Sequence, residues 1–384
     1  MNKYLTAIRN ITAAPELYFS RVRVGFFLLL FYSLCANFSS SFIPFYFKEQ
    51  GFPLAWIILL YVIFASMGII FIPLVQNFSI RTTFMISFLV FSLALSSLAF
   101  LPSQISFYVY AILLGLNLFL FWVPLNYLFF LKSSKETNGV DSSLYMVAPG
   151  IISMILPLFG AAFADTFGFS WLFALAALLY LFPIIFVYKK IPQEKISTVP
   201  FRESVRHFKG LKTITLFEGA LQHFSGIVVA VYALLFLKTN LEVGYYLSYL
   251  GLLGFVIGML LSRYSDKTQK RKSFIFVLFA LMSLSIFILP LVKESMHWFI
   301  AVGIFSVIYT ISSPLRLAVS LDVRVADMSF WKVREFFLNV GRVATLLMAV
   351  LLFYFEQYFL VFALFGFIAL AYPFLMSHKL KEVK

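Results

Sequence analysis

Residues 189–212 read KKIPQEKISTVPFRESVRHFKGLK, and this stretch decides the fold. It is the only long polar segment of the chain, and it carries seven basic residues: Lys189, Lys190, Lys195, Arg202, Arg206, Lys209 and Lys212. Everything to either side is apolar. Over 384 residues, 62% are hydrophobic and 12% charged, against about 45–50% and about 25% in a soluble globular domain. Phenylalanine alone contributes 50 residues. Such a chain cannot cover a water-facing surface and belongs in a bilayer. A spanning helix needs about 20 mostly apolar residues. That ruler predicts twelve spans, at 24–47, 54–75, 83–101, 105–131, 143–164, 168–188, 214–237, 244–263, 273–292, 297–316, 336–356 and 358–377. Twelve spans in 384 residues leave 32 residues per span, which is too few for an added soluble domain.

The polar stretch is therefore a linker in the middle of a polytopic chain. The expected organisation is a bundle over 1–188 with a short N-terminal segment, a basic linker over 189–213, and a second bundle over 214–384. Within the linker, Phe201, Val205 and Phe208 stand at i, i+4 and i+7, the pattern of a helix lying on the membrane surface.

Laid on itself with a shift of 190 residues, the chain repeats its landmarks. Gly68 meets Gly258, Arg81 meets Arg271, Phe84 meets Phe274 and Lys48 meets Lys238. Pro124 meets Pro314 and Pro183 meets Pro373, although only four prolines lie beyond residue 194. One ungapped shift thus aligns the first to the last helix of each half, the mark of a duplicated six-helix unit. Six is even, so the copies enter the membrane from the same side and the repeat is parallel. The expected fold is an all-α polytopic membrane protein of twelve transmembrane helices arranged as two parallel six-helix bundles.

A net charge of +14 suggests nucleic acid until its placement is examined. With both termini inside, the outer loops hold only Lys48, Lys238 and Lys293, each within four residues of an acid, Glu49, Glu242 or Glu294. The other 27 of the 30 basic residues lie on the inner side or at inner helix ends. This is the bias that orients membrane proteins. It predicts cytoplasmic termini and contact with anionic lipid, not nucleic acid. The first apolar run is too long for a signal peptide, and the expected location is a prokaryotic cytoplasmic membrane. Cys35 is the only cysteine, and the histidines at 207, 223, 297 and 378 are scattered. No disulfide, metal site or cofactor is expected. Nor is an enzyme, since no nucleophile–base pair or phosphate loop appears. The absence of charged rings disfavours a channel.

Twelve helices, a parallel 6+6 duplication, a basic central linker and cytoplasmic termini resemble the major facilitator superfamily over nearly the whole chain. That family has a loop resembling G-x-x-x-D-[RK]-x-G-[RK]-[RK] after helix 2 and again after helix 8. Here the second copy runs from Ser262 to Arg271, with Arg263, Asp266, Lys267, Lys270 and Arg271 as its charged set and both glycines replaced. The first copy, Ile72 to Arg81, has Gln76 where the acid should stand. The resemblance implies an inner-gate lock for the second copy only. Leu156-Pro157-Leu158-Phe159-Gly160-Ala161 resembles the helix-5 stretch of the family's antiporters, with packing as the alternative. The resemblance also implies that helices 1, 4, 7 and 10 line a central cavity.

Polar groups inside a membrane are costly, so each is a candidate site residue. Helix 7 carries Glu218, Gln222, Ser225 and Tyr232 at steps that share one face; His223 points away and is expected to be structural. Helix 1 offers Asn37, Ser40 and Ser41, helix 4 Asn117, Trp122 and Asn126, and helix 10 Tyr309, Ser313 and Arg316. Helices 4 and 10 carry the matched prolines, which can kink a helix. Glu218 is the expected proton carrier. Glu335, Asn339 and Arg342 share a face at the start of helix 11 and are expected to brace the inner gate. Together these features predict a monomeric secondary carrier of a small organic molecule. Efflux in exchange for protons is the first reading. Proton-coupled uptake, uniport, a lipid flippase and a non-transporting scaffold are the alternatives.

Overall fold

Backbone in hydrocarbon must satisfy its own hydrogen bonds, so each apolar run closes into a helix. A computed structural model describes residues 15–130, 138–147, 149–193, 195–197, 199–264, 271–323 and 327–379. Its helices are α1 (Pro15–Phe38, resumed over Ser40–Glu49), α2 (Leu54–Leu74), α3 (Ile80–Phe100), α4 (Ser103–Phe130), α5 (Gly150–Phe167), α6 (Phe169–Lys190), α7 (Lys212–Ala233), α8 (Asn240–Tyr264), α9 (Arg271–Ile288), α10 (Ser295–Val323), α11 (Met328–Tyr354) and α12 (Tyr358–Lys379). A helical stretch, Asn138–Val147, precedes α5. Among the described residues, eleven helices are long and apolar enough to cross a membrane, and the bent pair in α1, taken as one span, makes twelve. The protein is a multi-pass, all-α membrane protein, as expected.

The break in α1 is a 41° bend between Phe38 and Ser40. Its cause is local. Pro44 cannot donate to the carbonyl one turn back, and the side chains before it compete for the backbone. Asn37 Nδ2 donates to the Ser33 carbonyl at 2.8 Å, Ser39 Oγ to Cys35 at 2.9 Å and Ser41 Oγ to Ala36 at 3.1 Å. α5 fits into the bend: a Cβ on Gly160 would collide with the Phe38 carbonyl.

α10 and α11 reach further than the apolar ruler allowed. α10 runs unbroken through Pro314 to Val323, past 316, and α11 starts at Met328 rather than 336. Asp327 caps α11, its Oδ1 accepting from the Phe330 amide at 2.7 Å. The ruler stops at charges; these helices keep theirs inside the protein, where Arg316, Arg334, Glu335 and Arg342 are buried.

The first six helices pack largely on one another: α1 on α4 and α5, α2 and α3 on α4, α3 on α6. The last six do the same, with α7 on α11 and α12, α8 on α10, and α9 on α10 and α12. Two seams join the halves, α2 against α11 and α5 against α8. Small residues set the second seam. A Cβ on Gly251 would collide with the Ser153 carbonyl, and one on Gly244 would lie 2.7 Å from Ala161 Cβ and 3.1 Å from the Pro157 carbonyl. The Leu156–Ala161 stretch is thus a packing surface on both sides.

The linker is tied down at both ends. β1 (Asn77–Ser79) pairs antiparallel with β2 (Lys195–Ser197), and Arg81 Nε donates to the Ile191 carbonyl at 2.5 Å. The linker helix, Phe201–His207, does not spread its apolar face on lipid as expected. Phe201 packs on Phe336 (5.0 Å between ring centroids), and Phe208 stacks on Phe337 (6.0 Å, 3°). The start of α11 offers aromatic surface nearer than the bilayer does.

Candidate functional site

Two π turns shape the middle of the molecule. In α4 the turn covers Leu118–Trp122, directly before Pro124. Pro124 has no N–H to give the carbonyl one turn back, and its ring pushes that carbonyl aside. In α7 the turn covers Phe224–Val228 and contains Gly226. A π turn adds one residue to the helical register, and such bulges concentrate at functional sites. One extra residue rotates everything beyond it by about 100°. The face of Glu218 and Gln222 therefore does not continue into Ser225 and Tyr232.

Between the two halves lies a cavity of about 580 Å³. Of the residues proposed from sequence, Ser40, Ser41, Asn117, Trp122, Asn126, Gln222, Tyr309 and Ser313 line it. Asn37, Ser225, Tyr232, Arg316 and Glu218 do not. Asn37 donates within its own helix. Ser225 is turned off by the π turn, and Tyr232 packs among Trp298 (5.0 Å) and Phe362 (4.9 Å). His223, expected to be structural, lines the cavity and stacks on Phe64 at 5.9 Å.

The charges come from α11. Arg334, Glu335 and Arg342 all reach the wall. Arg342 Nη1 donates to Glu335 Oε1 at 2.6 Å and to Asn339 Oδ1 at 2.9 Å, while its Nη2 crosses to Gln222 Oε1 on α7 at 2.8 Å. Asn339 Nδ2 returns to the Glu335 carbonyl at 2.8 Å. Glu335, Asn339 and Arg342 thus form one connected network, and Glu335 and Arg342 face the cavity. Behind the wall, Arg334 Nη2 pairs with Glu218 Oε1 at 2.5 Å, both side chains under 7% exposed. Arg316 lies 4.8 Å from the centre of the Tyr309 ring and leans on that tyrosine: among the described residues no carboxylate is hydrogen-bonded to its guanidinium.

Both ends of the cavity are bridged between halves. On the face opposite the linker, Lys48 Nζ donates to the carbonyls of Leu234 and Leu237 at the end of α7, and Asn240 Nδ2 donates to Asp165 Oδ1 at 2.6 Å. On the linker face, Lys332 Nζ donates to the Val75 carbonyl, Phe130 stacks on Trp331 at 5.3 Å, and Asn138 Nδ2 donates to Asp322 Oδ1 at 3.0 Å. The proposed lock of Arg263, Asp266, Lys267, Lys270 and Arg271 falls outside this account: residues 265–270 lie outside the described residues, and Arg263 and Arg271 stand at the flanking helix ends.

Sequence reasoning missed the tyrosines. Tyr32, Tyr61, Tyr110, Tyr145 and Tyr180 line the cavity from the first half, with Phe91 beside them. Among 50 phenylalanines and 20 tyrosines, nothing local separates a cavity ring from a lipid-facing one. Arg334 was legible only as a flank, with Lys332, of the Glu335–Asn339–Arg342 brace at the inner end of α11; its place on the cavity wall was not.

Similarity to known proteins agrees with this geometry. Residues 25–327 match the model of the Major Facilitator Superfamily. No curated protein matches the chain significantly. Among solved structures, the human organic anion transporter MFSD10 (TETRAN) superposes with a TM-score of 0.62 at 13% identity, covering 94% of this chain and 100% of that one. A POT family transporter in complex with 5-aminolevulinic acid gives 0.67 at 14% identity, covering 94% and 96%. At such identities the likeness is one of fold. A family match over most of the chain, the twelve spans and the central cavity lead to one conclusion: this chain belongs to the Major Facilitator Superfamily of membrane transporters.

Proposed function

We propose that the protein is a secondary carrier that moves a small organic molecule across a prokaryotic cytoplasmic membrane by alternating access. Two bundles, 1–188 and 214–384, rock about the cavity while the linker, 189–213, holds them together on the cytoplasmic side. The observation that carries this reading is the pair of bridges across the two ends of one cavity. One end is closed by polar contacts alone, the linker end by polar contacts and the Phe130–Trp331 stack, and each can open without breaking a bundle. Glu218 is proposed as the coupling acid. It holds Arg334 from behind the wall, so protonating Glu218 frees a guanidinium for the cavity. Because Leu156–Ala161 serves packing in this structure, the ion pair is the better guide to coupling, and it favours a proton entering with the substrate over exchange.

Spin labels test the rocking without knowledge of the substrate. One pair, at Gln50 and Lys238, spans the face opposite the linker; another, at Leu74 and Ser329, spans the linker face. Both are placed in a Cys35→Ala background. Each pair should show two distance populations, and the long distance on one face should accompany the short one on the other. A single unchanging distance on both faces would exclude alternating access.

A further inference from the structure

The cavity has two unlike walls. Among the described residues, every charged side chain that lines it belongs to α11, namely Arg334, Glu335 and Arg342. The wall built by α1–α6 has none. It is mostly aromatic, five tyrosines with Phe64, Phe91 and Trp122, and its polar groups are neutral, among them Ser40, Ser41, Asn117 and Asn126. Tyr32 packs edge-on to Trp122 at 5.0 Å, and Phe91 stacks on Tyr180 at 4.9 Å and 14°. The charged wall is also unbalanced. Counting the buried pair behind it, three guanidiniums (Arg316, Arg334, Arg342) face two carboxylates (Glu218, Glu335). Glu335 is committed to Arg342 and Asn339, and Glu218 to Arg334.

The surplus appears as unused donors. Among the described residues, Nε of Arg334 and Nε of Arg342 are buried without an acceptor, and the guanidinium of Arg316, which is 1% exposed, has Tyr309 beside it but no carboxylate bonded to it. Buried donors in native proteins are nearly always paired, and charged donors most strongly seek anionic acceptors. One oxygen of Glu218 is also unpaired, but Glu218 stands behind Arg334 and does not line the cavity. On the opposite wall, the Asn117 side-chain amide and the Tyr180 hydroxyl are buried and unpaired. They can hydrogen-bond a neutral group on the body of a ligand.

We infer that the cavity takes a monoanionic organic acid with a flat, apolar body: the acid group docks on the α11 arginines, with Arg316 supplying the uncompensated charge behind Tyr309, and the body lies on the tyrosine wall. A cation would meet two glutamates already neutralised and an excess of arginine. An inorganic anion would leave the aromatic wall without a partner. The volume suits a molecule of a few rings at most, since small-molecule sites run from about 300 to 1,000 Å³. This assignment rests on the cavity being the carrier's binding site.

The test is equilibrium binding to the purified full chain in detergent by calorimetry. The probes are phenylacetate, 3-phenylpropionate, 4-hydroxybenzoate and octanoate, each with its amide and the amine of the same skeleton, together with acetate and phosphate. The best-bound acid should bind at least tenfold more tightly than its amide, its amine should not bind, and acetate and phosphate should not compete. Arg316→Gln should reduce the acid-over-amide ratio at least tenfold, while Arg316→Lys should keep most of it. If Arg316→Gln does not fold, the ratio in the unaltered protein decides. An amide equal to its acid, a tighter amine, acetate as good as the aryl acids, or no binding by any acid would overturn the assignment. Transport is read separately, in proteoliposomes with an imposed pH gradient. Acid binding without movement keeps the ligand class and removes the carrier, whereas movement of the amide in preference to the acid keeps the carrier and removes the class.

Discussion

Glu218 and Arg334 sit 2.5 Å apart with almost no exposure. Taking two charges out of water is repaid only while both are present, and removing one partner of a buried pair typically costs about 3–5 kcal/mol. Arg334→Ala should therefore lower the unfolding temperature in detergent sharply, and adding Glu218→Gln to it should restore much of the loss, because the stranded carboxylate is gone. Losses that simply add would show that the two residues act independently. Glu218→Gln alone serves a second purpose. It keeps the shape and an acceptor oxygen but cannot release a proton. Accumulation driven by a pH gradient should disappear while counterflow exchange persists; uphill transport equal to the parent's would remove Glu218 as the coupling acid.

At the scale of the element, α7 and α11 approach more closely than side chains allow. A Cβ on Gly219 would collide with the Leu338 carbonyl, and one on Gly341 with the Leu216 carbonyl. Both obstacles are backbone, so the helices must separate if either glycine is filled. Overpacking costs about 1–3 kcal/mol where side chains can yield, and here they cannot. Gly341→Ala should destabilise by at least that amount and disturb the bond from Arg342 to Gln222. Gly226→Ala is the control: it lies in the α7 π turn, lines the cavity and has nothing within 4 Å of its added Cβ. Its melting temperature should match the parent's. Equal losses at both positions would mean that glycine is needed for flexibility and not for approach.

For the whole molecule, the distribution of charge argues the orientation. Single cysteines in the Cys35→Ala background check it: Glu49→Cys and Glu242→Cys should react with an impermeant maleimide added outside intact cells, and Ser197→Cys only after permeabilisation. Labelling of Ser197→Cys from outside would reverse the topology and place the linker on the exterior.

Fold class, helix number and most helix positions were readable from the sequence, because hydrocarbon imposes one requirement on every span, and it is local: about 20 apolar residues with paired backbone groups. Eight proposed cavity residues on α1, α4, α7 and α10 were readable for a related reason, since a polar group in a membrane needs an inward destination. What could not be read depends on neighbours distant in sequence. The extra residue in the α7 π turn detaches Ser225 and Tyr232 from the face of Gln222, and no spacing rule announces it. The linker helix chose the aromatic start of α11 over lipid, a choice between two apolar surfaces that its own residues cannot make. Arg334 and Glu218 are 116 positions apart, and only the packing of α7 on α11 shows that they neutralise each other and leave Arg316 with no carboxylate bonded to it. Local chemistry determined that this chain crosses the membrane twelve times; tertiary packing alone decided which of its charges face the cavity and which are spent on one another.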